Sequence, residues 1–441
     1  MRVTGAKRWF VVVLCALIAG IMVYVPFLRY SYYSQMVVLF TEFHQVVDAS
    51  EVNSFIGLFG MAFGIVSMLG YPFGGIFADK FSEKWLLIIG SVLMGVCSFW
   101  FGVVPGKIEI IVIHLIYGVG TSFLIWSAYL KLTRKMGNAQ EQGRMFSTSE
   151  FVRGVFGTVI GFVGVGFLSQ ATLGSGGLDP QALGEQWRNL LWISGALFFV
   201  LAVLVFFFVP ADVKGAEEAD DAVQEPFSLR NIITVLKMPG MWMIAALIFC
   251  CFSFTSAGNG YLGAYTVDVL GVDETTASTF AIIRNYIIAA IMTFAIGFVS
   301  DKVGSKSKTL GIYLIIATIL CVVLILTKSV FVLCLAISFA FAIVYSGMRG
   351  IYFATLSEVG IPLAMTGIAT GIISMLCYLP DVYFAALAGS WLDSFGLAGY
   401  DYIWIYTVVC GVAGVVVAFI TYRYSKKLEK KSQASGSSNQ E

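Results

Sequence analysis

The chain has 441 residues, of which 59% are hydrophobic and only 12% charged, with a net charge of +1. Soluble domains carry about 25% charged residues, so the composition excludes a soluble enzyme, a nucleic-acid-binding domain and a disordered scaffold; the mean hydropathy of +0.87 agrees. Cys15, Cys97, Cys250, Cys251, Cys321, Cys334, Cys377 and Cys410 all lie in apolar runs with no CxxC pair, and His44 and His114 are too few for a histidine metal cluster, so neither a metal nor any other cofactor is expected.

A helix needs about 20 apolar residues to cross a bilayer. Twelve stretches qualify: roughly 9–37, 53–77, 85–104, 108–131, 147–169 and 188–209, then 240–266, 276–300, 308–327, 330–355, 366–392 and 402–424. Their length predicts helices, because a barrel strand takes about ten residues in strict alternation. The first run is too long for a secretory leader and lacks a small-residue cleavage site, so it reads as a retained span.

Spans one and two place Arg29, Tyr30 and Tyr33 beyond Pro26, then Gly57, Gly60, Gly64, Ser67, Gly70 and Gly74 at intervals of three or four. Span five repeats the pattern with Gly154, Gly157, Gly161 and Gly164. Small residues at that spacing let helices approach closely in lipid. The longest polar break, 210–238, reads as an acidic linker followed from Phe227 by a short interfacial helix capped by Ser228. It divides the chain into a bundle at 1–209, the linker, a bundle at 239–424 and a disordered tail at 425–441. Alternate loops hold most of the basic residues, among them Lys80, Lys84, Lys131, Arg134, Lys302, Lys306 and Arg423, against only Lys107, Arg188 and Lys328 on the other side. That asymmetry puts both termini in the cytoplasm and requires an even number of spans.

After span two the chain reads Gly75-Ile-Phe-Ala-Asp79-Lys80-Phe-Ser82-Glu-Lys84, and after span eight Gly297-Phe-Val-Ser-Asp301-Lys302-Val-Gly304-Ser-Lys306. Two copies of G-x-x-x-D-K at equivalent points of two six-span halves indicate duplication. The sequence here resembles the major facilitator superfamily, departing from its loop signature at Ser82, where glycine is expected and where the turn would be tighter. The resemblance implies an all-α integral membrane protein of twelve transmembrane helices in two pseudo-symmetric six-helix bundles. It further implies that the loop latches cytoplasmic helix ends, with Asp79 facing a helix N-terminus and Lys80 and Lys84 paired to acids.

Arginines within spans cost about 2.5–3.5 kcal/mol each at the bilayer centre. Arg153 follows Glu150 by three residues and suits a structural ion pair, and Arg349 can pair with Glu358 or belong to a cytoplasmic gate. Arg29 and Arg284 have no acid within a helical turn and belong to different halves. Together they suit forked hydrogen bonds to a carboxylate or phosphate; the alternative is a structural triad with Asp381. Tyr30, Tyr33, Asn285, Trp126, Tyr129, Asn259 and Tyr261 complete the candidate substrate residues, although aromatics also serve as membrane belts. Asp381 and His114 are the candidate proton carriers, the alternatives being a structural role for Asp381 and that of a hydrogen-bonded core histidine for His114.

Excess buried arginine over acid, and scarce buried Asn and Gln, predict a proton-coupled secondary transporter of the bacterial plasma membrane. It would act as a monomer, moving a small organic anion (a carboxylate, sugar acid or phosphate ester) by alternating access. The pattern resembles organic-anion and organophosphate members of the superfamily. A permease for a neutral sugar or nucleoside and a transporter-like receptor are the alternatives. The chain has no G-x-x-x-x-G-K-[ST] loop and no clustered triad, so neither ATP hydrolysis nor a membrane-embedded enzyme is expected.

Overall fold

The computed structural model describes residues 4–137, 141–173, 177–211, 213, 229–328, 330–362 and 365–437. Among these the chain is helical, and the only β pairing is an isolated bridge between Thr172 and Leu178. Backbone groups in lipid must find their partners within the segment, and the apolar runs accordingly form the twelve spans of the predicted fold class.

The first six spans run Ala6–Tyr30, Val52–Lys80, Glu83–Gly102, Lys107–Lys135, Gln142–Leu168 and Pro180–Phe208. The second six begin with Pro239–Asp268, Glu274–Val303, Lys306–Leu326 and Phe331–Ile351. Span eleven comes in two pieces, Thr366–Cys377 and Leu379–Phe395, and span twelve is Gly399–Ser437. A short helix, Leu229–Leu236, follows the central linker; Phe227, Ser228 and the acidic stretch 214–226 lie outside the described residues. Span twelve continues to Ser437, where the sequence suggests a disordered tail from 425. The Lys426–Glu429 pair, three residues apart, and Arg423 over the Phe419 ring extend the helix past the apolar run.

The duplicated motif forms the end of a helix and the turn after it. In the first copy helix persists through Lys80, and Ser82 is extended (φ −63, ψ 131), a conformation open to any residue. In the second copy Gly304 has φ +72, which favours glycine. The substitution at Ser82 therefore leaves the turn relaxed, and the Ser82 hydroxyl donates to the Ala211 carbonyl. Lys84 donates to the Phe206 carbonyl at 2.6 Å, near the C-terminus of span six, where a cation is favoured, and not to an acid. The side chain of Asp79 lies outside the described residues.

The halves brace their motif ends with opposite charges. In the first, Glu83 opens span three and is paired with Lys135 at 2.6 Å and Lys131 at 3.5 Å, at the end of span four. In the second, the acid follows span ten: Glu358 accepts from the Ser307 amide at 3.0 Å, the Lys306 amide and the hydroxyls of Ser305 and Ser307, capping span nine. The Glu358 carboxylate, which the sequence offers to Arg349, is thus engaged with a helix N-terminus. Lys306 pairs with Asp301.

Packing groups the chain differently from the repeat. One compact unit comprises Met1–Asp220, Asn259–Ala290 and Asp381–Tyr402; the other comprises Asp221–Gly258, Ile291–Pro380 and Ile403–Glu441. The first thus holds the opening half together with the ends of spans seven, eight and eleven that lie away from the chain termini. Within it the two glycine stripes serve as contact surfaces. Gly57 and Gly64 lie against the carbonyls of Ala385 and Asp381 in span eleven, and Gly157 and Gly161 against Tyr286 and Ile282 in span eight.

Candidate functional site

The candidate site lies in the first unit and is built on helix irregularities. Pro26 lacks an amide hydrogen, and span one tightens after it into a 3₁₀ stretch, Val25–Tyr30, with Phe27 off helical geometry (φ −107, ψ 20). The Leu28 carbonyl takes up the slack, accepting from the amides of Ser31 at 3.0 Å and Tyr32 at 2.8 Å. Arg29 emerges from this bend only 5% exposed.

The Arg29 guanidinium lies over the Tyr30 ring at 4.8 Å and donates to the Tyr30 hydroxyl at 3.3 Å. It rests on Gly60, where a Cβ would come within 2.9 Å of Cζ. That glycine of the span-two stripe makes room for a charge and not for another helix. Arg29 Nε is buried without a hydrogen-bond partner among the described residues. Tyr30, Tyr261, Asp381 and Tyr33 stand within electrostatic reach of the guanidinium.

Asp381 enters through a second irregularity. Span eleven breaks between Cys377 and Leu379, ahead of Pro380, and Asp381 falls in the first turn of the helix that restarts there. An internal helix N-terminus favours a carboxylate. Tyr261 donates to the Ala385 carbonyl at 3.0 Å on the same helix, and its ring lies 5.8 Å from that of Tyr33.

Arg284 sits in a third irregularity, the π-helical stretch Ile283–Ile288, and is 1% exposed. Its neighbour Asn285 donates to the Tyr30 carbonyl at 3.3 Å, tying span eight to the bend of span one. Gln35 makes a parallel tie, donating to the Ser278 hydroxyl at 2.9 Å. The Oδ1 of Asn259, on span seven, is buried without a partner among the described residues.

The remaining candidates have other surroundings. Trp126 and Tyr129 are engaged with the Glu150–Arg153 ion pair: Arg153 lies 5.7 Å over the Trp126 ring, and Tyr129 meets the Ser149 hydroxyl at 2.8 Å and donates to Glu150 at 3.3 Å. His114 is fully buried, its Nδ1 2.8 Å from the Ile110 carbonyl, between the rings of Phe59, Phe101 and Tyr117. Sequence reasoning missed Asn53 and Asp393. Asp393 accepts from the Asn53 amide and side chain at 3.1 and 2.9 Å and from the Ser54 amide at 2.7 Å. Tyr33 donates to Asn53 Oδ1 at 3.0 Å. Asn53 opens a glycine-rich span and Asp393 closes another, and nothing in their local sequence marks them as partners.

Among the described residues, apolar helices long enough to cross a membrane, irregular at Arg29, Arg284 and Asp381, fit a multi-pass membrane transporter. The chain belongs to the Major Facilitator Superfamily, whose profile matches residues 9–384. It is 24% identical over 432 residues to the Inner membrane protein YqcE of Escherichia coli (strain K12), covering 97% of each chain. It is 25% identical over 432 residues to the Inner membrane protein YihN of the same organism, covering 96% of this chain and 97% of that one. Similar solved structures include a bacterial homolog of the human lysosomal transporter Spinster in an inward-facing conformation (TM-score 0.73, 16% identity, 96% and 99% of the two chains). A D-xylose-proton symporter is also similar (TM-score 0.71, 18% identity, 94% and 97%).

Proposed function

We propose that this transporter moves a small organic anion across the bacterial inner membrane by proton-coupled alternating access, with Arg29 as the anion-binding cation and Asp381 as the proton carrier. The observation that carries the reading is the Arg29 guanidinium, 5% exposed, with an Nε that has no partner among the described residues and a neutral phenol as hydrogen-bond acceptor. A buried cation calls for a counter-charge, and Asp381 is within electrostatic reach. While Asp381 is ionised it neutralises Arg29. Once protonated it leaves the guanidinium to a carboxylate or phosphate, so proton and anion travel together. His114 lacks such a relation to a carboxylate and reads as a core residue. Both termini are assigned to the cytoplasm by the basic loops, which makes the end of span two at Asn53 and of span eleven at Asp393 the outer ends. The similarity to inner membrane proteins supports the location.

The test is transport in proteoliposomes with gluconate, succinate and glycerol 3-phosphate as probes. Asp381→Asn is expected to retain exchange of the transported anion and to lose its accumulation against a gradient when a pH difference is imposed. Accumulation that survives the substitution contradicts the assignment of Asp381. A second reading, a permease for neutral polyols, draws on the phenols of Tyr30, Tyr33 and Tyr261 around the site and on similarity to a D-xylose-proton symporter and to the nucleoside transporter NupG. Under that reading, Arg29→Gln weakens transport without abolishing it.

A further inference from the structure

The N-terminus of span two is capped from far along the chain. Helix N-termini leave several amides without intrahelical partners, and a local side chain ordinarily accepts from them. Here the N-cap residue, Glu51, makes no such bond; its carboxylate pairs with Lys107 at 3.3 Å. The amides of Asn53 and Ser54 are taken instead by Asp393, 340 and 339 residues away. Span two and the end of span eleven are pressed together along a single seam below this cap. A Cβ on Gly389 would lie 2.2 Å from the Asn53 carbonyl, one on Gly57 2.2 Å from that of Ala385, and one on Gly64 2.4 Å from that of Asp381. Asp393 and Asp381 are the two ends of that seam, about 18 Å apart on one helix at 1.5 Å per residue.

We infer that Asp393 is the latch of the outer gate and that Asn53 and Tyr33 connect it to the site at Arg29. The carboxylate holds the outer ends of spans two and eleven together through charge-assisted bonds to a helix N-terminus. Opening toward the outside breaks these bonds and exposes the amides to water, which satisfies them in turn, so the latch is reversible. Asn53 donates to Asp393 through Nδ2 and accepts from Tyr33 through Oδ1. The Tyr33 phenol can point its hydrogen to Asn53 or to an anion at Arg29, so occupancy of the site alters the support under the latch. This last link rests on the anion reading; the latch itself does not.

A cysteine at Gly260 reports on the gate. A Cβ there would lie 3.8 Å from the Tyr30 ring, and the eight native cysteines are buried. Intact cells expressing Gly260→Cys are treated from outside with a membrane-impermeant maleimide, and the labelling rate is compared after adding Asp393→Ala. The expected result is a rise of about tenfold, the size of a lost helix cap, with a smaller rise for Tyr33→Phe. Glu51→Ala, at the position that makes no cap bond, is expected to leave the rate unchanged. Asp393→Asn, which keeps one carbonyl acceptor, serves if the alanine variant does not elute as a single species with an unchanged melting temperature. A rate unchanged both in intact cells and in inverted vesicles for a folded Asp393 variant, or an equal rise with Glu51→Ala, overturns the latch. A rise confined to inverted vesicles supports the latch and overturns the orientation. Neither outcome depends on which solute is carried, which the proteoliposome assay reads separately.

Discussion

At the scale of single residues, the backbone angle decides what the duplicated motif requires. Gly304 has φ +72 whereas Ser82 is extended at φ −63. Gly304→Ala is therefore expected to lower the stability of the detergent-solubilised protein by about 1 kcal/mol, the cost of a left-handed Cβ. Ser82→Gly, which restores the family pattern, is expected to give no gain in melting temperature. A gain would show that this turn is strained after all. The sequence identifies both positions but cannot reveal which copy uses a left-handed residue, because the same spacing accommodates either turn. Arg29 was legible for a better reason: a guanidinium in an apolar run is costly enough to be conspicuous by itself. Its seat on Gly60 was hidden, since a glycine that admits a charge reads like one that admits a helix.

At the scale of elements, the stripes on spans two and five were readable as close-packing faces, but their partners were not. Gly57 and Gly64 meet a helix more than 300 residues further on, and no local pattern encodes such a pairing. The helix breaks behave similarly. Pro26 and Pro380 announce theirs, whereas the π-helical turn around Arg284 has no sequence signature. Gly57→Val forces a Cβ to within 2.2 Å of the Ala385 carbonyl, and overpacking of this kind costs about 1–3 kcal/mol. We expect a clear drop in melting temperature with loss of transport. Gly75→Ala, in the loop motif, meets nothing within 4 Å and is expected to leave both unchanged. Equal effects from the two would remove the case for a tight seam.

At the scale of the whole molecule, composition and run length suffice for the twelve-span fold, because lipid imposes one solution on apolar segments of this length. The duplicated motif suffices for the family. The grouping by packing was not legible, for it joins the opening half to Asn259–Ala290 and Asp381–Tyr402 across the repeat. That grouping brings Asp381 within electrostatic reach of Arg29, so the residues we propose as proton carrier and anion-binding cation lie on elements of different halves. The most direct measurement is ligand-induced thermal stabilisation of the detergent-solubilised protein, in which a ligand preferring the folded state raises the melting temperature. Gluconate, succinate and glycerol 3-phosphate would be compared with glucose and uridine. The expected result is that an anion stabilises the wild type, that Arg29→Lys weakens the effect, and that Arg29→Gln removes it at the same ligand concentration through a loss of about 10- to 100-fold in apparent affinity. Stabilisation by glucose or uridine alone, undiminished in Arg29→Gln, would contradict it.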